Sequence, residues 1–486
     1  MSAKYKACIL SLLVPLALQG QDIVLLRHAP GRGNAGLYGG YEAGGYHPAF
    51  APESLWRAGA SASGTRHGDR ASYTGYFSFE QVEGKGQFTS MFLEPGYFPI
   101  DVLEFTPGDK TRQTYKLGGG FVTPFADDFL FGIKTDYTAA NYAKRKDIRH
   151  TTYGMDLQVE PTFGFASGGQ DISIAYIFRK RTETIDAEQV GAATDQSYYA
   201  FLDKGMRYGT YQVWDGDGIH LDEAGVGVLP VREFTHGFSE LLQTAEFSGG
   251  LKFLWKHGLV GEKGYDWFNY RGRTYSTWLE KKWGRGHSLR VDLDFEEDQL
   301  KEAVLDKVTA GGITTPTIYG YNAVSDRSWA SLDLTYAIRF QEGHLRLLQA
   351  VLHGGIWTEN SYLMYPYEDK NDRYNGSLTL NSAFSFGHVD LRLRMNGGIG
   401  KWKDQGLKGG TEEVASVPYR LEADWLRKME YFSTGKLGAG LTLIYHLKSI
   451  PGLMLLAEGT WLHGFGIALL PGADRWSSSL KLEYDF

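Results

Sequence analysis

Two stretches of this 486-residue chain place an arginine beside a histidine: Arg27–His28 in IVLLRHA, residues 23–29, and Arg66–His67 in the RHG that follows Thr65. A histidine can attack phosphorus as a nucleophile while an arginine holds the phosphate oxygens. That chemistry needs the pair at a strand end in a fold of alternating strands and helices, and no such alternation follows here. Gly31, Gly33 and Gly36 spell G-x-G-x-x-G. Such a loop holds pyrophosphate only where a helix begins inside it. Here LYGGYEAGGYHPAF follows, which cannot sustain a helix, and Pro30 sits at the junction. The stretch reads as a Gly/Tyr-rich segment. H-E-x-x-H, G-x-S-x-G and P-loop patterns are absent, and the 13 histidines are scattered. The best cluster of hard oxygen ligands is WDGDGIHLDE, with Asp215, Asp217, Asp222 and Glu223 around His220. It is a weak calcium candidate, because the bidentate glutamate and repeated spacing of a calcium loop are missing. A solvated acidic loop explains it more simply. A second acidic stretch, Glu296, Glu297, Asp298, Glu302 and Asp306, reads as a solvated rim. We therefore assign no catalytic residue and no metal ligand, and expect neither an enzyme nor a cofactor.

The elements that would position any site are strands. Leu289, Val291, Leu293 and Phe295 alternate with Arg290, Asp292, Asp294 and Glu296. Leu332, Leu334, Tyr336, Ile338 and Phe340 alternate with Asp333, Thr335 and Arg339. Val389, Leu391, Leu393 and Met395 alternate with Asp390, Arg392, Arg394 and Asn396. At the carboxyl end Trp476, Leu480, Leu482, Tyr484 and Phe486 fall on one parity, against Arg475, Lys481, Glu483 and Asp485. A period of two with one apolar and one charged face is a half-buried strand. In lipid every backbone polar group must pair internally, so such strands must close into a barrel.

Near the amino terminus, Lys4 and Lys6 precede an apolar run at residues 7–18, which has signal-peptide form. It is too short to anchor a membrane helix and contains Pro15 and the single cysteine, Cys8. We place cleavage after Gly20, which leaves no cysteine and moves the net charge from −7 to −9. That charge argues against nucleic acid as a partner. The expected organisation is a signal peptide at 1–20, a Gly/Tyr-rich segment at 21–70 lying in the periplasm or lumen, and a barrel at 71–486.

Short turns are expected near Pro124–Asp127, Ser167–Gln170, His236–Glu240, Gly284–Gly286, Gln341–Gly343, Phe386–His388 and Lys448–Gly452. Longer connections are expected near 84–111, 141–149, 183–223, 257–267, 298–326, 358–372, 404–429 and 467–473. The result is an all-β, transmembrane, antiparallel up-and-down barrel of about 16 strands, within 14–18, with short periplasmic turns and long extracellular loops. Residues 54–65 are also strand-like, but counted alone they put the first half out of phase. Either they lie in the lumen or another strand hides in residues 84–111.

The inward parity yields the lumen-lining candidates: Arg290, Asp292, Asp294, Asp333, Arg339, Asp390, Arg392, Arg394, Glu458, Arg475 and Glu483. Mixed charges of this kind can set a field across a water-filled bore or fill the bore with ion pairs. Three readings follow: a barrel that passes or binds a solute, a scaffold that binds a partner through its long loops, and a hydrolase assembled at the rim.

The export signal, terminal Phe486 and strand pattern resemble those of bacterial outer-membrane barrels. The segments PGYFPIDVLEFTPGDKTRQTYKLGGG (95–120), ETIDAEQVG (183–191) and GIHLDEAGVGVLPV (218–231) are similar to a Bacteroidetes-type outer-membrane family of unknown function. The resemblance implies a Gram-negative outer-membrane location and brings no catalytic residues. Outer-membrane lipid, and the barrel-insertion machinery acting on the strand ending at Phe486, would be its partners. Members accompany TonB-dependent uptake genes, which makes a TonB-dependent receptor a candidate partner. The stretch before residue 71 is too short for the plug domain such a receptor carries.

Overall fold

The computed structural model describes residues 22–486 apart from 147, 189–198, 214–227, 263–264, 311–312, 365–366 and 410–418. The strands in chain order begin with β1 (Gly33–Ala43), β2 (Ser54–His67), β3 (Ser72–Ser90) and β4 (Asp101–Pro124). Next come β5 (Phe129–Lys144), β6 (Arg149–Ser167) and β7 (Gln170–Glu188). A short hairpin follows, β8 (Tyr199–Asp203) and β9 (Gly209–Val213). The wall resumes with β10 (Val228–Gln243), β11 (Phe247–Glu262), β12 (Tyr265–Trp283), β13 (His287–Ala310) and β14 (Ile313–Arg339). It continues with β15 (Leu345–Met364), β16 (Tyr367–Phe386) and β17 (Val389–Lys408). After helix α1 (Glu422–Ser433) it ends with β18 (Lys436–His446), β19 (Leu453–Gly464) and β20 (Asp474–Asp485). Each wall strand pairs antiparallel with its neighbours, β7 pairs with β10, and β1 pairs with β20, so 18 strands close on themselves. The two extra strands, β8 and β9, attach to the start of β4.

The expected 16 strands between residue 71 and Phe486 are present as β3–β7 and β10–β20. The barrel has 18 because β1 and β2, at residues 33–43 and 54–67, are also wall strands. This corrects the assignment of 21–70 to a periplasmic or lumenal segment. The strand needed to restore phase lies in the Gly-rich stretch before residue 54, not in 84–111. Glycine weakens a strand signal because it has no side chain to pack. In β1 the lack of a side chain is what the seam requires. A Cβ on Gly36 would meet Leu482 O at 3.0 Å, and one on Gly40 would meet Ser478 O at 3.0 Å. Phe486 completes the closure by exchanging backbone hydrogen bonds with Gly33, at 2.7 and 2.9 Å.

The expected turn at His236–Glu240 is instead the middle of β10; the chain turns at residues 244–246. Gly237 and Ser239 mimic a turn, but Gly237 sits against Leu254 across the ladder. Pro230, the weak point of the strand, pairs with Thr184 of β7 above the first β10–β11 pair, where one ladder is missing anyway. The long connections expected at 257–267, 298–326 and 358–372 are mostly strand. The regular apolar alternation ends in these stretches, but the hairpin hydrogen bonds continue.

The outward parity is apolar around the barrel. Leu293, Leu332, Leu334, Leu393, Leu441, Leu443, Leu480 and Leu482 are all exposed there. A soluble protein does not present so continuous an apolar surface to water. Aromatic clusters flank this band, Trp283–His287–Tyr336 at the short-turn end and Trp461–His463–Trp476 at the other. Both chain termini of the wall lie at the short-turn end. No helix among the described residues is long and apolar enough to cross a membrane.

Candidate functional site: the lumen

The inner face divides into a filled arc and an uncovered one. In the filled arc, the ten-residue connection 91–100 between β3 and β4 folds into the long-connection mouth. Phe92, Phe98 and Ile100 are buried there with Ile185 of β7, Val231 of β10, Tyr270 of β12 and Leu300 of β13. Polar contacts fix its path. Arg327 of β14 donates to the carbonyls of Gly96, Tyr97 and Phe98 and to Asp298. The Tyr97 hydroxyl donates to Glu233 at 2.6 Å, and the Arg181 guanidinium lies 3.8 Å from the Tyr97 ring centre. Asp298 is buried and held by Lys256 as well, while Glu302 pairs with Lys204. The acidic stretch 296–306 is thus partly an internal clamp, not only a solvated rim.

The hairpin β8–β9 and helix α1 add to this roof. Trp425 and Met429 of α1 bury against Met206 and Tyr208. Arg207 bridges Asp203 at 2.8 Å and Asp424 at 2.7 Å. Tyr208 donates to Asp369 at 2.8 Å, and burial pushes its phenol up to about 12 against the opposing Arg420 guanidinium. The Tyr431 ring packs tilted against Tyr46 of the β1–β2 connection, and Glu430 accepts from the N–H groups of Ala468, Leu469 and Leu470. The described parts of the long connections therefore turn inward and pack on one another. A cavity of about 60 Å³ remains among Asp101, Asp203, Arg207, Arg327, Glu359 and Lys428. That is room for a few waters, far below the roughly 300 Å³ at which ligand pockets begin.

At the short-turn end a 3-10 helix, Ile23–His28, lies inside the barrel against β4–β7. Ile23 and Val24 fit where the wall has glycines: a Cβ on Gly132 would come within 2.7 Å of Ile23, and one on Gly164 within 2.8 Å of Val24. Arg27 and His28 both pair with Asp171. The arginine–histidine pair considered for phosphate chemistry is thus a structural latch. His67, the other one, is bound to Ser72 and to the Ala29 carbonyl.

The lumen-lining candidates all fall on the inward parity, in different states. Arg290 pairs with Asp292 and lies over the Trp278 ring at 4.3 Å. Asp333 pairs with His353 at 2.8 Å and Asp390 with His446 at 3.0 Å. Arg475 pairs with Glu42, and Glu483 with Lys481. Arg339 is exposed where β14 ends. Asp294 and Glu458 are half-buried, and Glu458 feels the charges of Arg394, Arg57 and Arg392. Arg392 and Arg394 are exposed to the lumen. The calcium candidates Asp215, Asp217, Asp222 and Glu223 lie outside the described residues.

Sequence reasoning missed the residues that fill the lumen: Tyr97, Arg327, and the fully buried Glu104 with Lys110 at 2.9 Å. The partners of Tyr97 and Arg327 are tens to hundreds of residues away, and only Pro95-Gly96 and Pro99 hinted that the connection turns sharply.

Residues 23–486 match the model of a family described as a family of unknown function, DUF6850. No curated protein matches the chain. Among solved structures the chain is similar to the FrpB iron transporter of Neisseria meningitidis, at 11% identity over 96% of this chain and 83% of that one, TM-score 0.39. It is similar to the ferric enterobactin receptor PfeA of Pseudomonas aeruginosa, at 10% identity over 94% and 82%, TM-score 0.41. It is also similar to the ferric yersiniabactin uptake receptor FyuA of Yersinia pestis, at 8% identity over 94% and 80%, TM-score 0.41.

Proposed function

The chain belongs to DUF6850, a family of unknown function, and from that premise we propose that it is an outer-membrane barrel that binds or passes a polar solute through its uncovered arc. The short-turn end then faces the periplasm and the roofed end the exterior. The observation that carries this reading is the contrast between the two faces of one strand, β17. Leu393 and Met395 are exposed on the outside, where lipid would cover them, while Arg392 and Arg394 are exposed on the inside. Charged groups left exposed at that depth need water beside them, so this part of the lumen is hydrated.

The barrel is read as non-catalytic and as inserting through the strand that ends at Phe486. A TonB-dependent receptor is its proposed neighbour in uptake, and a Bacteroidetes-type bacterium its proposed source. The test is conductance of the purified chain in planar bilayers, together with swelling of loaded liposomes. Discrete conductance steps and solute-dependent swelling are expected. A barrel that folds, inserts and yields neither, at any voltage, would sink the passage version and leave only binding.

A further inference from the structure

We infer that the solute is an oxyanion, carrying carboxylate or phosphate groups, and that Arg392 and Arg394 are its binding residues; the inference rests on the solute-binding reading above. The two arginines are successive inward residues of β17, so their Cα atoms lie about 7 Å apart on one face. Their cross-strand neighbours are uncharged. Arg394 lies between Asn381 of β16 and Gly440 of β18, and Arg392 between Ala383 and Thr442. A directly opposite acid is the usual way a strand neutralises an inward arginine, and none is present. Two carboxylates are nearby, and neither is in ion-pair contact with these arginines among the described residues. Asp390, two residues before Arg392, is bound by His446 at 3.0 Å. Glu458 stands beyond Thr442, where it feels the charges of both arginines without touching either.

The same pattern occurs elsewhere in the barrel with the opposite outcome. Arg179 and Arg181 are also successive inward arginines, on β7. There Arg179 is taken up by Asp156, and Arg181 by Glu94 at 3.2 Å. The β17 pair thus keeps its donors available, facing water. A guanidinium binds planar carboxylate or phosphate oxygens through two parallel N–H donors, and two such forks about 7 Å apart suit a polyanion better than a chloride ion.

The experiment is calorimetric titration of the purified full-length barrel in detergent with inorganic phosphate and with citrate, alongside Arg392→Gln/Arg394→Gln. Saturable binding of at least one anion is expected, weakened at least tenfold in the double variant. Arg290→Gln, whose guanidinium is already engaged by Asp292, should leave it unchanged. Should the double variant fail to fold, Arg394→Lys replaces it: it keeps the charge, loses the fork, and should still weaken binding. No saturable binding of either anion, or equal affinity in the arginine variants, overturns the inference. Citrate binding without phosphate binding would identify a polycarboxylate, and the reverse a phosphate-bearing solute. Conductance that persists without anion preference would overturn this inference while leaving solute passage standing. Saturable binding without conductance would do the opposite.

Discussion

Strands β7 and β17 each carry two inward arginines with one residue between them, yet the protein treats them in opposite ways. On β7 every inward residue from Asp171 to Ala187 is buried except Arg179, which is half-buried. The 3-10 helix covers the lower end of that face and the connection 91–100 covers the upper. On β17 nothing among the described residues covers Arg392 and Arg394, and small or uncharged neighbours stand on either side. Identical strand chemistry therefore does not decide whether a lumen is filled or wet. The decision is made by which connections fold back inside, and here they fold over β4–β14 while the inner face of β17 at Arg392 and Arg394 stays open.

The sharpest way to break this comparison is to make the same substitution in both arcs. Arg181→Ala removes the partner of Glu94 and one partner of Glu183, which is fully buried. Stranding a buried carboxylate costs about 3–5 kcal/mol. Arg394→Ala removes a hydrated group with no ion-pair partner and should stay within about 0.5 kcal/mol. Urea midpoints of the folded, heat-modifiable form would show this. Equal losses at the two positions would mean that the arcs do not differ in packing.

The same contrast explains what could be read from sequence. The outward parity of β13, β14, β17 and β20 was legible because an apolar residue recurs there at every second position. The opposite parity was legible as polar, and the eleven candidates lie on it. Whether each would be paired was not legible, since Arg327 and Tyr97 meet 230 residues apart. Strand β1 was lost because Leu37 and Tyr41 are too few apolar residues among glycines to show a period. Its role becomes visible only once Phe486 is placed beside Gly33. The arginine–histidine pair at 27–28 was legible as a motif, but its partner Asp171 turned it into a latch.

A second way to sharpen the comparison is to empty part of the filled arc. Gly132→Leu places a side chain where Ile23 now sits, 2.7 Å from a Cβ at that position. Overpacking of this kind costs about 1–3 kcal/mol, and the cheapest relief is for the 3-10 helix to leave the barrel. Residues 22–32 should then become cleavable by a periplasm-side protease in proteoliposomes, with the wall intact. Asp171→Asn, which neutralises the partner of Arg27 and His28, should do the same to a smaller degree. Unchanged protection in both variants would show that the helix is held by contacts other than these.

The smallest expected effect concerns the roof above the uncovered arc. His47, in the connection between β1 and β2, is buried beside Tyr46, which packs on Tyr431 and Leu470. Its Nδ1 lies 3.0 Å from the Pro48 carbonyl, with the charges of Arg475 and Glu53 nearby. Burial lowers its pKa below the ordinary 6.5, since the imidazolium loses hydration there. The folded chain thus resists a proton that the opened connection accepts. The stability this contributes is complete above pH 6.5 and is lost as pH falls from 6.5 through the lowered folded value. Amide exchange in residues 44–53, after correction for intrinsic rates, should therefore quicken between pH 7.5 and pH 5. His47→Gln should flatten the dependence. If the variant keeps the full acid response, another group loosens the roof, and the uncovered arc is bounded by something other than the Tyr46–Tyr431 contact.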